Sequence, residues 1–177
     1  MPFDYQPTLR GRLVELRPLT PSDHDALFAV AADPLIWEQH SAKTRHTSAG
    51  FAEFFRESLA SGGALVVIDA VTRRVIGSSR FYGYNAERDE IEIGWTFLAR
   101  SYWGGVYNGE IKRLMLRHAF AFVTSVVFFV EQENLRSQRA VGKIGGVLEP
   151  RRDLRGRLTY RITAAAFERT RRLADTP

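Results

Sequence analysis

The chain contains no cysteine. That absence excludes disulfides, a thiolate nucleophile and thiolate metal sites together, and it suits a reducing compartment, so a cytoplasmic location is expected. The four histidines (His24, His40, His46, His118) show no metal-ligand spacing, and no metal is expected. A long apolar run is also missing. The most apolar stretch, 120–130, is too short to cross a bilayer and is interrupted by Thr124 and Ser125. The first seven residues lack the basic-then-apolar layout of a secretory signal, so no membrane association is expected. There is no internal repeat, low-complexity tract or long linker. One domain over 1–177 is therefore expected, with a core at 10–167 and a tail at 168–177.

What is present is an ordinary globular composition. The 177 residues suffice to bury a substantial core, and 45% apolar with 25% charged residues suits a folded chain. The formal charge is +5, and eight arginines fall between Arg151 and Arg172. Such a surface attracts anions: coenzyme phosphates, acidic partners or RNA. No nucleic-acid-binding motif accompanies it, so dedicated nucleic-acid binding is not expected; a solvated hairpin and helix accounts for the charge equally well.

Periodicity outlines a mixed α/β chain. Residues 10–19 alternate like a strand, and Thr20-Pro21-Ser22-Asp23 offers helix-starting chemistry. Leu27, Phe28, Val30 and Ala31 follow at helical spacing until Asp33-Pro34. Thr47/Ser48 opens a second helix carrying Phe51, Phe54, Phe55 and Leu59, ended by Ser61-Gly62-Gly63. Strands are expected at 64–70, 75–84 and 90–98. A helix beginning near Tyr107 places Leu114, Met115, His118, Ala119 and Phe122 on one face, with His118 read as a satisfied core residue. A short buried strand at 126–130, a helix over 134–144, strands at 147–150 and 158–163, and a helix over 164–173 complete the order.

The chemically informative segment is 100–110, Arg-Ser-Tyr-Trp-Gly-Gly-Val-Tyr-Asn-Gly-Glu, where a strand exit leads straight into a helix. Glycines permit a tight turn with uncovered amides, and the helix start adds free donors and a positive dipole end. The combination suits a pyrophosphate.

The run from Glu92-Ile-Gly-Trp to Asn108-Gly-Glu110, then Leu114-Met-Leu-Arg-His-Ala-Phe120, resembles the GCN5-related N-acetyltransferase (GNAT) superfamily. Asn134-x-x-Ser137 and Lys143-Ile-Gly-Gly146 extend the likeness. The opening 13–20 with Asp23 and Asp33-Pro34 is similar to the branch containing the ribosomal-protein-alanine N-acetyltransferases. The resemblance implies an α+β domain with a mixed, mostly antiparallel central sheet flanked by helices, acetyl-coenzyme A as co-substrate, and a monomer or homodimer. It assigns the coenzyme site to Phe97, Leu98, Arg100, Trp103, Gly104, Gly105, Val106, Tyr107, Asn108, Asn134 and Ser137. One departure stands out: Val106 and Asn108 occupy positions where the family's phosphate loop carries small residues. A β-branched residue resists positive φ, so a reshaped loop is expected, with Asn108 capping the helix or touching phosphate.

Acetyl transfer to an amine needs a neutral nucleophile, a polarised thioester carbonyl and a donor for the departing thiolate. Glu92 matches the family's acidic position and is the candidate base; Glu90 shares its strand face and is the alternative. Backbone N–H groups around Phe97–Leu98 are implied to hold the carbonyl. The family's tyrosine acid is replaced by Val141, which leaves Ser137 as a hydrogen-bond donor to sulfur or a helix-start residue, with Asn134 orienting the pantetheine arm, capping its helix, or both. Trp37, Tyr82, Tyr84 and Trp95 are candidate walls of the acceptor pocket, or core. The expected activity is acetylation of a primary amine, in particular a protein N-terminal α-amine. Alternatives are a small free amine (amino acid, polyamine or antibiotic) or a non-catalytic coenzyme-binding module.

Overall fold

The computed structural model describes residues 2–174, with side chains through residue 170. In chain order the strands and α-helices are β1 (Leu9–Arg10), β2 (Val14–Pro18), α1 (His24–Ala31), α2 (Ser48–Ala60), β3 (Ala64–Asp69), β4 (Val75–Asn85), β5 (Glu90–Leu98), α3 (Tyr107–Ala119), β6 (Ser125–Val130), α4 (Leu135–Lys143), β7 (Val147–Arg152), β8 (Leu158–Thr163) and α5 (Ala164–Ala174). The strands form one sheet in the order β1-β2-β3-β4-β5-β6-β8-β7. Every neighbouring pair is antiparallel except β5–β6.

Local chemistry explains most boundaries. Thr47 caps α2 by accepting the Gly50 amide at 3.1 Å, and Asn134 caps α4 by accepting the Ser137 amide at 3.1 Å. At the first turn, Asp23 accepts both the amide and the hydroxyl of Thr20, at 2.8 and 3.0 Å. Alternation then sorts the sheet's side chains onto two faces. Leu65, Val67, Ile91, Ile93, Val126 and Phe128 pack against α3 and Phe167 of α5. Val66, Ile68 and Phe97 pack against the aromatic face of α2 and Leu27 of α1.

Three expectations need correction. The strand over 10–19 is broken in two by a turn in which the Gly11 amide donates to Val14 O at 2.8 Å. The break is imposed from 96 or more residues away: Glu110 on α3 accepts the amides of Arg12, Leu13 and Val14 at 3.1, 2.7 and 2.9 Å. A Cβ on Gly11 would sit 2.4 Å from the Glu110 carboxylate, so this turn requires glycine. Second, α3 ends at Ala119, so Phe122 lies beyond the helix; Ile111, Lys112 and Leu116 join Met115 and Ala119 in its buried face, with Leu114, His118 and Phe122 packed at the margin of the core. Third, the tail at 168–177 begins inside α5; its last three residues lie outside the described residues.

The sheet's decisive irregularity is at β5. Its pairing with β6 covers only Glu90–Ser125, Ile91–Val126 and Glu92–Val127. Beyond Glu92, β5 continues along β4 and β6 continues along β8, so the parallel pair parts into a wedge. A bulge accompanies the parting: Gly94 to Phe97 on β5 faces only Arg80 to Ser78 on β4, and Trp95 takes φ 52°. A bulge adds local twist and bends its strand, here away from β6. Positive φ in a bulky aromatic residue is strained and needs surrounding structure to hold it.

The Glu110 latch carries a direct prediction. Glu110→Ala strands three amides, and charged hydrogen bonds contribute about 1.5–3 kcal/mol each. The unfolding midpoint is expected to fall by roughly 10–35 °C. Gly11→Ala should also destabilise, but less in the Glu110→Ala background, where the clashing carboxylate is gone. A shift under about 2 °C for Glu110→Ala contradicts the latch.

Candidate functional site

Glu92 stands where the wedge opens. It is 8% exposed, and no cation lies within ion-pair distance of it among the described residues. Burial pushes its carboxyl up to about 7; Arg157 and Arg80 pull against that shift, and Asp153 adds to it. Arg157 reaches the site from the β7–β8 hairpin, held by Asp153 at 2.7 Å and lying 5.1 Å over the Phe129 ring. Glu90, two residues earlier on the same face, is occupied by Arg161 at 2.9 Å and Arg88 at 3.7 Å. The two carboxylates thus differ in kind: Glu90 is ion-paired and Glu92 is not.

The loop between β5 and α3 solves the problem posed by Val106. Its left-handed residue is Gly104, at φ 71°, whereas Val106 sits in the right-handed region at φ −83° with its side chain 66% exposed. The β-branched residue therefore meets no strain. The first bond of α3 runs from the Glu110 amide to Val106 O at 3.0 Å, so the amides of Val106, Tyr107, Asn108 and Gly109 have no intrahelical acceptor. No side chain caps this end, which corrects the capping role considered for Asn108. No atom lies within 4 Å of where a Cβ would stand on Gly104, Gly105 or Gly109. The result is an open cradle at a positive dipole end.

Flanking residues divide into those turned toward the wedge and those turned away. The Trp103 indole donates to Leu98 O at 2.9 Å, and the Arg136 guanidinium stacks on its ring at 3.9 Å. Arg136 belongs to α4, so the stack ties the loop to the helix that follows β6. Phe97 and Leu98 occupy the part of β5 that has left β6. Arg100 is turned aside: it hydrogen-bonds and ion-pairs with Asp33, whose carboxyl is held low chiefly by that bond. Tyr107 packs edge-on against Tyr102 at 4.8 Å. The Asn134 side chain is engaged as the cap of α4. Ser137 is half-buried, and its hydroxyl makes no hydrogen bond among the described residues. Val141 is core, packed where a Cβ on Gly146 would come within 2.4 Å of it.

The four aromatic candidates separate. Tyr82 pairs with Glu92 across the β4–β5 ladder, is 48% exposed and meets Trp95 edge-on at 5.4 Å. Trp37 is core, its indole donating to Ala31 O at 2.8 Å. Tyr84 lies across the sheet, stacked on Phe3 at 6.0 Å, because an irregularity with Gly83 at φ 66° shifts the register after Tyr82. His118 bonds Asp4 O at 2.8 Å among Phe3, Phe81 and Phe122.

Sequence reasoning missed Lys112. This fully buried lysine of α3 donates to Thr96 Oγ1 on β5 and lies 5.7 Å from the Phe128 ring on β6, so its amine spans the wedge floor. Burial alone brings its amine down to about 7. Thr96 Oγ1 in turn meets Ser79 Oγ at 2.8 Å. The available signal was the spacing of Lys112 with Met115, Leu116 and Ala119, which puts a charge inside an apolar stripe. A shallow groove of about 890 Å³, with Asp33, Arg73, Arg74 and Arg100 in its lining, contains neither Glu92 nor the cradle. Two of its arginines are already paired, Arg73 with Glu15 and Arg100 with Asp33.

The family model described as "Acetyltransferase (GNAT) domain" matches residues 13–147, and the chain belongs to that family. It is an acetyl-coenzyme A-dependent N-acetyltransferase. Among similar solved structures is a GCN5-related N-acetyltransferase from Brucella melitensis, 20% identical, with 94% of this chain and 83% of that chain covered at a TM-score of 0.79. An acetyltransferase from Agrobacterium tumefaciens str. C58 is 26% identical, with 92% and 96% covered at 0.70. Mycobacterium smegmatis RimJ in complex with CoA-disulfide is 20% identical, with 95% and 93% covered at 0.68. No curated protein matches the chain by sequence.

The buried titratable groups have opposite consequences for stability. Glu92 is raised from 4.5 to about 7, so the folded state holds its proton more tightly, and this group lowers stability as pH rises from 4.5 to 7. Lys112 is lowered from 10.5 to about 7, so it raises stability as pH climbs from 7 to 10.5. His40, brought from 6.5 to about 4 by burial with Arg45 and Arg157 nearby, raises stability between 4 and 6.5 and partly offsets Glu92. Unfolding midpoints measured against pH should therefore diverge from wild type below pH 7 for Glu92→Gln and above pH 7 for Lys112→Met. Parallel curves in both windows contradict these assignments.

Proposed function

We propose that the protein transfers the acetyl group of acetyl-coenzyme A to a protein N-terminal α-amine, with Glu92 as general base. The observation that carries this reading is one buried carboxyl, free of ion pairs, at the point where β5 and β6 separate. An α-amino group titrates near 7.7–8, close enough to a base near 7 for proton transfer at neutral pH, directly or through one water.

The residues present fit the coenzyme. The open cradle of Gly104, Gly105 and the first-turn amides of α3 suits its pyrophosphate, and the wedge suits an extended arm. The coenzyme supplies an activated acetyl thioester. Around it, backbone N–H groups near Phe97 and Leu98 would polarise the carbonyl, and the unbonded Ser137 hydroxyl would donate to sulfur. Asn134, already spent as a cap, fixes the position of Ser137. Trp103 and Arg136 would flank the wedge, and Tyr82 with Trp95 would wall the acceptor. The unstrained Val106 weakens one ground for a coenzyme-binding module without turnover; the other, Val141 in place of a tyrosine acid, is met in this reading by the Ser137 hydroxyl. The likeness to RimJ favours a protein acceptor; a small free amine is the second reading, favoured by the arginine buried beside the site.

Acetyl-coenzyme A at about 100 times its Kd is expected to add about 2.7 kcal/mol of stability, visible as a raised unfolding midpoint. Thiol release should fall about 100-fold or more in Glu92→Gln and about 10-fold in Ser137→Ala, with the coenzyme-induced shift retained. Full activity in Glu92→Gln contradicts the mechanism, and no thermal shift at millimolar coenzyme contradicts the binding site.

A further inference from the structure

Two guanidinium groups, Arg80 buried and Arg45 half-buried, lie on the Glu92 face of the sheet with no carboxylate in contact. Arg80, on β4, is 5% exposed. Its Nη2 donates to Ser58 Oγ at 2.6 Å, and its plane lies 4.4 Å over Trp95 and 5.9 Å from Phe54. Its Nε is the one buried side-chain polar atom without a hydrogen bond among the described residues. Arg45 lies 4.5 Å over the same Phe54 ring and 5.6 Å over Trp37, and its polar contact is His40 Nε2 at 3.4 Å. Burial depresses both guanidiniums, Arg80 to about 10, and Arg45 depresses Arg80 further. Glu57 and Glu92 act on Arg80 through space, with neither in ion-pair contact.

Burying a cation without its counter-charge is costly, and aromatic faces return only part of that cost. Two such cations against one Phe54 ring, with an orphaned donor on Arg80, form a site whose missing component is an anion. Its place identifies the anion's source. Arg80 pairs with Gly94, Tyr82 with Glu92, and Arg80 and Tyr82 point to one face, so the backbone positions that carry the guanidinium and the Glu92 carboxyl are about 7 Å apart along the sheet. The side chain between them, Tyr82, is exposed.

We propose that Arg80 and Arg45 form an anion subsite for a carboxylate carried by the amine acceptor. The inference rests on the acetyl-transfer reading of Glu92 and narrows its substrate class to primary amines bearing a carboxylate. The carboxylate takes the free Arg80 Nε–H and the adjacent Arg45 guanidinium while the amine reaches Glu92. Polyamines and other polycationic amines are excluded by the same two charges. Two sources share this chemistry: a free amino acid, or a peptide with an acidic residue at its first position.

The test compares matched acceptors: free amino acids against their amides, and tetrapeptides starting with Glu against those starting with Gln. The carboxylate member is expected to be favoured about 10- to 100-fold in kcat/KM, mainly through KM. Arg80→Gln and, separately, Arg45→Gln should bring the ratio close to one. Preference within the amino acid pair assigns the α-carboxylate, and preference within the peptide pair assigns the acidic side chain; either supports the subsite. Equal use of both members by the wild type overturns it. If no amine is acetylated the Glu92 reading fails, and calorimetry then decides the subsite: Glu-peptide binding that exceeds Gln-peptide binding and is lost in Arg80→Gln supports it, and equal binding overturns it.

Discussion

The hydrogen-bonded ladder between β5 and β6 stops at Glu92–Val127, and the functional geometry follows from that stop. A parallel pair that ran on would close the sheet and leave no space between the strands. Because β5 bulges at Trp95 and leans toward β4, backbone beyond Glu92 faces open space, Lys112 enters from α3 below, and the aromatic and cationic side chains of β4 and β5 gather above. The strain of Trp95 at positive φ is held by its packing against Tyr82 and Arg80, which are themselves parts of the proposed acceptor wall. Structure and site are in this sense one arrangement.

Burial without pairing is the second theme. Glu92, Lys112, His40, Arg45 and Arg80 all lie in or beside the wedge, and each is shifted mainly by loss of solvent rather than by a salt bridge. Elsewhere the protein pairs its charges: Arg17 with Asp23 at 2.8 Å, Arg161 with Glu90 and Glu149. Desolvated, unpaired groups concentrated at one place mark where ligands complete the electrostatics. Glu110 works differently. Its carboxylate is consumed by three backbone amides, so it anchors α3 to the sheet edge.

Much of this was legible in the residues. The caps at Thr47 and Asn134, the apolar run of β6, the alternation of β3 to β5 and the glycine loop before α3 are local signals, readable because nearby residues determine them. The family likeness rested on the same loop and on Glu92. What escaped depends on distant partners. No local rule predicts that Glu110 breaks the first strand, since its three amides lie 96 to 98 positions away. The bulge escaped because its positive-φ residue is Trp95, while the adjacent Gly94, which such a turn would favour, does not carry it. Tyr84 was grouped with Tyr82 as an aromatic candidate, and the same kind of irregularity places it on the opposite face. Arg80 and Lys112 were not singled out, because only packing places their charges inside.

Amide hydrogen exchange with and without acetyl-coenzyme A tests the central claim, that the parted strands and the adjoining helix start receive the coenzyme. Protection is expected at Phe97 and Leu98 and across 104–109, with little change at the paired residues 90–92, which are already bonded. Protection confined to the groove around Arg73 and Arg74, or no protection at saturating coenzyme, would contradict it.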